Sequence, residues 1–184
     1  MFKKRINFSR IGLMALYPYM SFFFFACLGD KNPNKDTYGQ KVIQSNEIEG
    51  QIPLTYTHID SIYVPIYSDI YSRSKDSRFL LTATLSIRNT SYTDTLLIST
   101  IDYFDTQGEL VRNYLDKTIF LKPMASIDYV IDEDDDTGGI GANFIVVLHN
   151  QSERVRPVIQ AIMISTNGQQ GIAFTTEGIS ISKK

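Results

Sequence analysis

The stretch FLLTATLSIRN, residues 79–89, limits what this chain can fold into more than any other. Phe79, Leu81, Ala83, Leu85 and Ile87 fall on one side of an extended backbone, and Thr82, Thr84, Ser86 and Arg88 fall on the other. A period of two demands a strand with one buried face, because a helix would scatter these apolar residues around its circumference. The same criterion predicts strands over 61–67, 95–105, 109–115, 118–121, 126–132, 143–149, 158–165 and 171–176. Within them FIVVLH, 144–149, is apolar on both faces and predicts a central strand. The connectors are short and rich in turn formers: DTQG at 105–108, KPMA at 122–125 and NG at 167–168. Gly108 can supply the positive φ that a tight hairpin between 95–105 and 109–115 requires. No window of three helical turns carries a clean amphipathic stripe. The expectation is an all-β, antiparallel, immunoglobulin-like β-sandwich, with a small β-barrel as the alternative. The absence of tryptophan and of a cysteine pair excludes the antibody type of core.

The first 26 residues read differently. Lys3, Lys4, Arg5 and Arg10 precede an apolar run from Ile11 to Ala26, and no acid occurs before Asp30. A basic opening, an apolar stretch and a small residue before a cut describe a secretory signal peptide over 1–26. Cutting after Ala26 exposes Cys27, the chain's single cysteine. That arrangement resembles the bacterial lipoprotein signal, in which the thiol receives a diacylglycerol. Phe24 stands where the usual pattern has an aliphatic residue. An uncleaved anchor helix and an ordinary signal are the competing readings, although sixteen apolar-leaning residues fall short of the roughly 20 that span a bilayer. Lipid on Cys27 would hold the protein to a membrane, each buried methylene contributing about 0.8 kcal/mol. Leu28, by analogy with sorting rules in which an aspartate after the cysteine retains the protein at the inner membrane, favours the outer one.

Without the signal's four bases the chain keeps 14 basic and 20 acidic side chains, a net charge of −6. Such a chain gains nothing from phosphate backbones, so nucleic acid is not an expected partner. With Cys27 lipidated the remainder can form no disulfide and must be held by burial. Residues 27–52 are polar, carry Gly, Pro and Asn, and have no sustained period; they read as a flexible stalk of roughly 25–30 Å mean span. Residues 53–184 then form one domain, enough for a single core.

Two features could carry binding or chemistry. The loop DEDDDTGGIGAN, 132–143, brings Asp132, Asp134, Asp135, Asp136, Gly138, Gly139 and Asn143 close in sequence. Calcium takes six to eight oxygens from carboxylates and carbonyls, and an acidic turn can supply several. The EF-hand spacing fails, since Thr137 stands where glycine is needed and Asn143 where the bidentate glutamate belongs. The competing reading is a solvated acidic loop with glycines for sharp turns. DTG, 136–138, lacks the second copy that an aspartic-protease dyad needs. The second feature is IYVPIYSDIY, 62–71, whose strand alternation puts Tyr63, Tyr67 and Tyr71 on one face as a candidate contact surface for protein or glycan. Tyrosine is also common in half-buried strands, which is the alternative. Pro65 cannot donate to a ladder and predicts an edge position. His58 and His149 lie far apart and in no metal-ligand spacing. Asp69, Asp102, Asp105 and Asp116 would need to pair in space to act as a glycosidase does.

YVPIYSDIY (63–71), LTATLSIRNTS (81–91), IDYFDTQGELVRNYLDK (101–117), DTGGIGANFIV (136–146) and GQQGIAF (168–174) occur in this order. Together they resemble an uncharacterised bacterial family, domain of unknown function 3124, over roughly residues 60–180. The resemblance implies an exported or lipid-anchored bacterial protein and carries no catalytic residue. The resulting expectation is a membrane-tethered, cell-envelope module that binds or assembles without catalysis. A calcium-dependent or carboxylate-based envelope hydrolase is the rival.

Overall fold

The computed structural model describes residues 46–48, 50–166 and 171–181. The signal-like segment, Cys27, the stalk up to residue 45 and the turn at 167–168 lie outside them. The described residues form twelve strands: β1 (His58–Pro65), β2 (Asp69–Ser74), β3 (Ser77–Leu80), β4 (Thr82–Arg88), β5 (Leu96–Phe104), β6 (Leu110–Asn113), β7 (Ile119–Leu121), β8 (Ser126–Ile131), β9 (Asn143–Asn150), β10 (Val158–Ser165), β11 (Ile172–Glu177) and β12 (Ile179–Ser180). Among the described residues the only helical element is a 3₁₀ turn, Gly139–Gly141.

The strands build an open antiparallel sandwich, so the barrel alternative falls away. One sheet runs β12-β1-β9-β5-β6, with β7 beside the other end of β5. The second runs β11-β10-β4-β8, and β2 pairs with β3 as a separate hairpin. β9 is central, paired along β1 on one side and β5 on the other, as an apolar run on both faces requires. Phe144, Val146 and Leu148 of β9 point into the core with Val64, Ile101 and Tyr103. Leu81, Ala83, Leu85, Ile87, Ala161 and Met163 reach the same core from the second sheet and its approach, all with no exposure.

Two departures from the sequence reading have local causes. The alternation of 79–87 holds for burial from Leu81 to Leu85, beyond which Ser86 is buried along with Ile87, and the strand is broken at Leu81, whose N–H donates to the Ser68 carbonyl. Phe79 therefore belongs to a hairpin and not to the sheet. In β5, Leu96 and Ile98 join the core and then Ile101 and Tyr103 do, a change of phase. The register shift between Ile98 and Thr100 supplies it: Ser99 is the extra residue of a β-bulge, which rotates the second half of the strand by one position. The β5–β6 hairpin forms as expected, with Gly108 at φ 83°. Asp105 Oδ1 accepts the N–H groups of Gln107 and Glu109.

β1 is not the outermost strand, because two-residue β12 covers Ile62 and Tyr63. Its proline is nonetheless placed as an edge proline would be. Ser61 O accepts from Ile181 N–H on the β12 side, whereas Ile66 N–H donates to Ala142 O on the β9 side. Backbone groups alternate sides residue by residue, so Pro65 faces past the end of β12, where no ladder bond is lost. The sheet also begins earlier than composition suggests. Ile48 N–H donates to Thr118 O, Phe120 N–H donates to Asn46 O, and Glu47 pairs with Lys117 at 3.2 Å, so residues 46–48 lie alongside β7 and are not stalk.

Candidate functional site

The acidic loop is built by packing. Thr106, in the β5–β6 turn, donates its hydroxyl to Gly138 O at 2.9 Å and accepts Gly141 N–H at 3.0 Å. Ser68, after β1, donates both its N–H and its hydroxyl to Gly139 O. The loop is thus held on one side by the β1–β2 connection and on the other by the hairpin turn. Its glycines answer to crowding. A Cβ on Gly138 would overlap the Tyr103 hydroxyl, lie 2.6 Å from Tyr103 Cζ and 2.7 Å from Ala142 Cβ. Gly139 adopts φ 71°, and a Cβ there would meet Thr106 Oγ1 at 2.7 Å.

The carboxylates do not converge. Asp135 is committed to Arg112 at 2.9 Å and to the N–H and hydroxyl of Thr137. Burial alone would raise its pKa, but the Thr137 and Arg112 interactions outweigh that and hold it below the ordinary carboxylate value. Asp132 and Asp134 are exposed, and Asn143 opens β9, opposite Pro65 and Phe104. Among the described residues no three His, Cys, Asp or Glu side chains come together as a cation site. Dispersed acids have separate partners too: Asp69 with Arg78, Asp102 with Asn113, Asp105 within its own turn. Burial raises the pKa of Asp102, against the hydrogen bond from Asn113.

The tyrosine row is divided, because the chain bends at 66–68 between β1 and β2 and does not run as one strand. Tyr63 lies opposite Ile145 and Ile179 on the outer face of the six-stranded sheet. Tyr67 packs edge-on against Phe174, with centroids 5.8 Å apart. Tyr71 stands in the β2–β3 hairpin directly across from Arg78, whose guanidinium lies 5.4 Å from the ring centroid. Arg78 also pairs at 3.0 Å with Asp69, a buried carboxylate.

One tyrosine and part of the acidic loop meet here. Tyr71 and Arg78 of the hairpin, residues 136–140 of the loop, and Thr106 and Gln107 of the β5–β6 turn line an open pocket of about 350 Å³. Tyr71 came from one candidate set, and Asp136, Gly138 and Gly139 from the other. Arg78, Thr106 and Gln107 carried no signal in the sequence, since each is a lone polar residue in a polar stretch.

Elsewhere the buried ionisable groups serve packing. Burial pushes the Tyr103 phenol up to about 12, against an opposing contribution from Ser68. That hydroxyl makes no well-aligned hydrogen bond. His149 is 9% exposed, and its Nε2 sits 2.8 Å from Ser99 Oγ at the bulge. Desolvation lowers its pKa from 6.5. A histidine held neutral in the fold takes its proton more readily when unfolded, so stability falls as pH drops through about 6.5. The melting temperature of His149→Gln is expected to be flatter than that of the wild type between pH 7.5 and pH 5.5; parallel curves would refute this.

The fold and site define an open antiparallel β-sandwich with a polar pocket at its rim. The chain belongs to the family described as Protein of unknown function (DUF3124), which matches over residues 59–181. Among curated proteins none matches it. Among solved structures, one titled Crystal Structure of Thermotoga maritima 1070 is similar at 14% identity with a TM-score of 0.37, over 65% of this chain and 92% of that one.

Proposed function

We infer that the protein is an exported lipoprotein, anchored through Cys27 to the bacterial cell envelope, whose sandwich is a non-catalytic binding or assembly module. The observation that carries the module reading is the convergence of Tyr71 with Asp136, Gly138 and Gly139 on one pocket, from segments more than 60 residues apart. Supporting it, the groups that most suggested chemistry are committed to the scaffold: Asp135 to Arg112 and Thr137, and the glycines to Tyr103 and Thr106. The tether reading draws on the basic opening, the apolar run to Ala26 and the single thiol after it. Leu28 directs it to the outer membrane in preference to the inner.

Metabolic labelling with a clickable palmitate tests the anchor. Wild-type protein should carry label and partition into the membrane fraction, and Cys27→Ser should lose both. Unlabelled wild-type protein refutes the anchor. Crosslinking intact envelopes before solubilisation then tests the module, with Tyr71→Ala expected to lose whatever the wild type captures.

A further inference from the structure

We propose that the rim pocket binds an uncharged glycan, one or two sugar rings deep. This rests on the binding-module reading and adds its ligand class. The volume, about 350 Å³, is at the small end of ligand pockets, which run from roughly 300 to 1,000 Å³. That suits a short sugar segment.

The pocket's lining is more polar than apolar, as suits a ligand covered in hydroxyls. Tyr71 and Ile140 contribute apolar surface. With them stand the Gln107 amide, the Asp136 carboxylate and the Arg78 guanidinium, which offer donors and acceptors to such a ligand. Two further polar groups are already used, because Thr106 is bonded to Gly138 and Gly141, and Thr137 to Asp135. Recognition therefore falls to Gln107, Asp136, Arg78 and Tyr71.

Charge selects against the obvious alternatives. Among the described residues Arg78 is the only cation on the walls, and the buried Asp69 carboxylate neutralises it at 3.0 Å. Asp136 then leaves the pocket slightly negative, which disfavours a phosphate or an acidic peptide. Asp136 is an exposed single carboxylate, too little for a hard cation that wants six or more oxygens. Rigidity also favours a weakly binding sugar. Tyr71 is braced by its cross-strand guanidinium, and the 138–139 backbone is latched by Ser68 and Thr106, so little ordering remains to oppose association.

The test uses the full chain, solubilised in a non-glycosidic detergent. Titration calorimetry is run against chitotriose, cellobiose, maltotriose, galactobiose and mannobiose, with inorganic phosphate as the anionic probe. Saturable binding of at least one oligosaccharide is expected, weakened tenfold or more by Tyr71→Ala and by Asp136→Ala. Tyr63→Ala, on the outer face of the six-stranded sheet and outside the pocket lining, should leave it unchanged. Because Tyr71 and Asp136 are exposed, both variants should keep the wild-type melting temperature. No saturable heat with any sugar, phosphate binding instead, or sugar binding indifferent to both substitutions overturns the glycan assignment. A protein captured by crosslinking while no sugar binds would overturn the assignment and leave the module reading standing. Sugar binding by a protein that is never lipidated would do the reverse to the tether.

Discussion

Phe144→Ala is expected to lower the unfolding free energy by about 3–5 kcal/mol, the range for deleting a fully buried phenylalanine. Phe144 has no exposure and lies on the central strand of the larger sheet. Its ring is 5.1 Å from Tyr103 and 5.7 Å from Tyr114, and Tyr114 in turn meets Tyr129 edge-on at 5.1 Å. Tyr129 belongs to β8, at the edge of the opposite sheet, so these rings bridge the sandwich. Truncation opens a cavity beside the Tyr103 and Tyr114 rings, and Tyr103 is held on β5 and cannot swing in to close it. A domain of this size is stable by roughly 5–15 kcal/mol, so the variant should lose about a fifth or more of its margin. Ile145→Ala gives the control. It stands on the same strand, one residue on, but faces outward and half-exposed, so its cost should be about 1 kcal/mol. Chemical denaturation of both variants measures the difference. Equal losses would mean that Phe144 does not sit at the centre of the packing.

What the sequence could disclose follows from how far each determinant reaches. β9 was legible because apolar residues on both faces of FIVVLH need cover on both sides, and central placement supplies it. Gly108 was legible because the demand for positive φ is local to its turn. The β2–β3 hairpin was not. Its residues are mostly polar, and the alternation of Phe79, Leu81 and Ala83 continues across the break at Leu81, so periodicity cannot show where one strand stops. The phase slip in β5 was equally hidden, since LLISTIDYF carries apolar residues at both parities and only the partner strand reveals the extra residue. The loop was half legible. Its acids and glycines stood out, but they suggested a cation, because the groups that explain the glycines are Tyr103 and Thr106, more than 30 positions earlier. A pocket wall such as Arg78 is invisible for the same reason: its role comes from Tyr71 across the hairpin and Asp69 beneath it.

Gly138→Ala should therefore destabilise the fold by about 3 kcal/mol, the upper part of the range for forcing extra volume into packed surroundings. The loss does not come from backbone conformation, because Gly138 has φ −79°, which alanine adopts freely. It comes from the Tyr103 side chain, which has no exposure and nowhere to move while Phe144 lies on its other side. A two-residue cycle separates this from any general effect of the substitution. Tyr103→Phe alone should be close to neutral, because the hydroxyl it removes is buried without a well-aligned partner. In the Gly138→Ala background the same change should recover about 1 kcal/mol or more by removing the overlapping atom. Recovery stays incomplete because Tyr103 Cζ and Ala142 Cβ remain 2.6 and 2.7 Å from the added methyl. Additive effects in the cycle would break the link between the two residues. Gly138 would then be free of the core, and the loop would be held to the sandwich by the Ser68 and Thr106 hydrogen bonds without the Tyr103 contact.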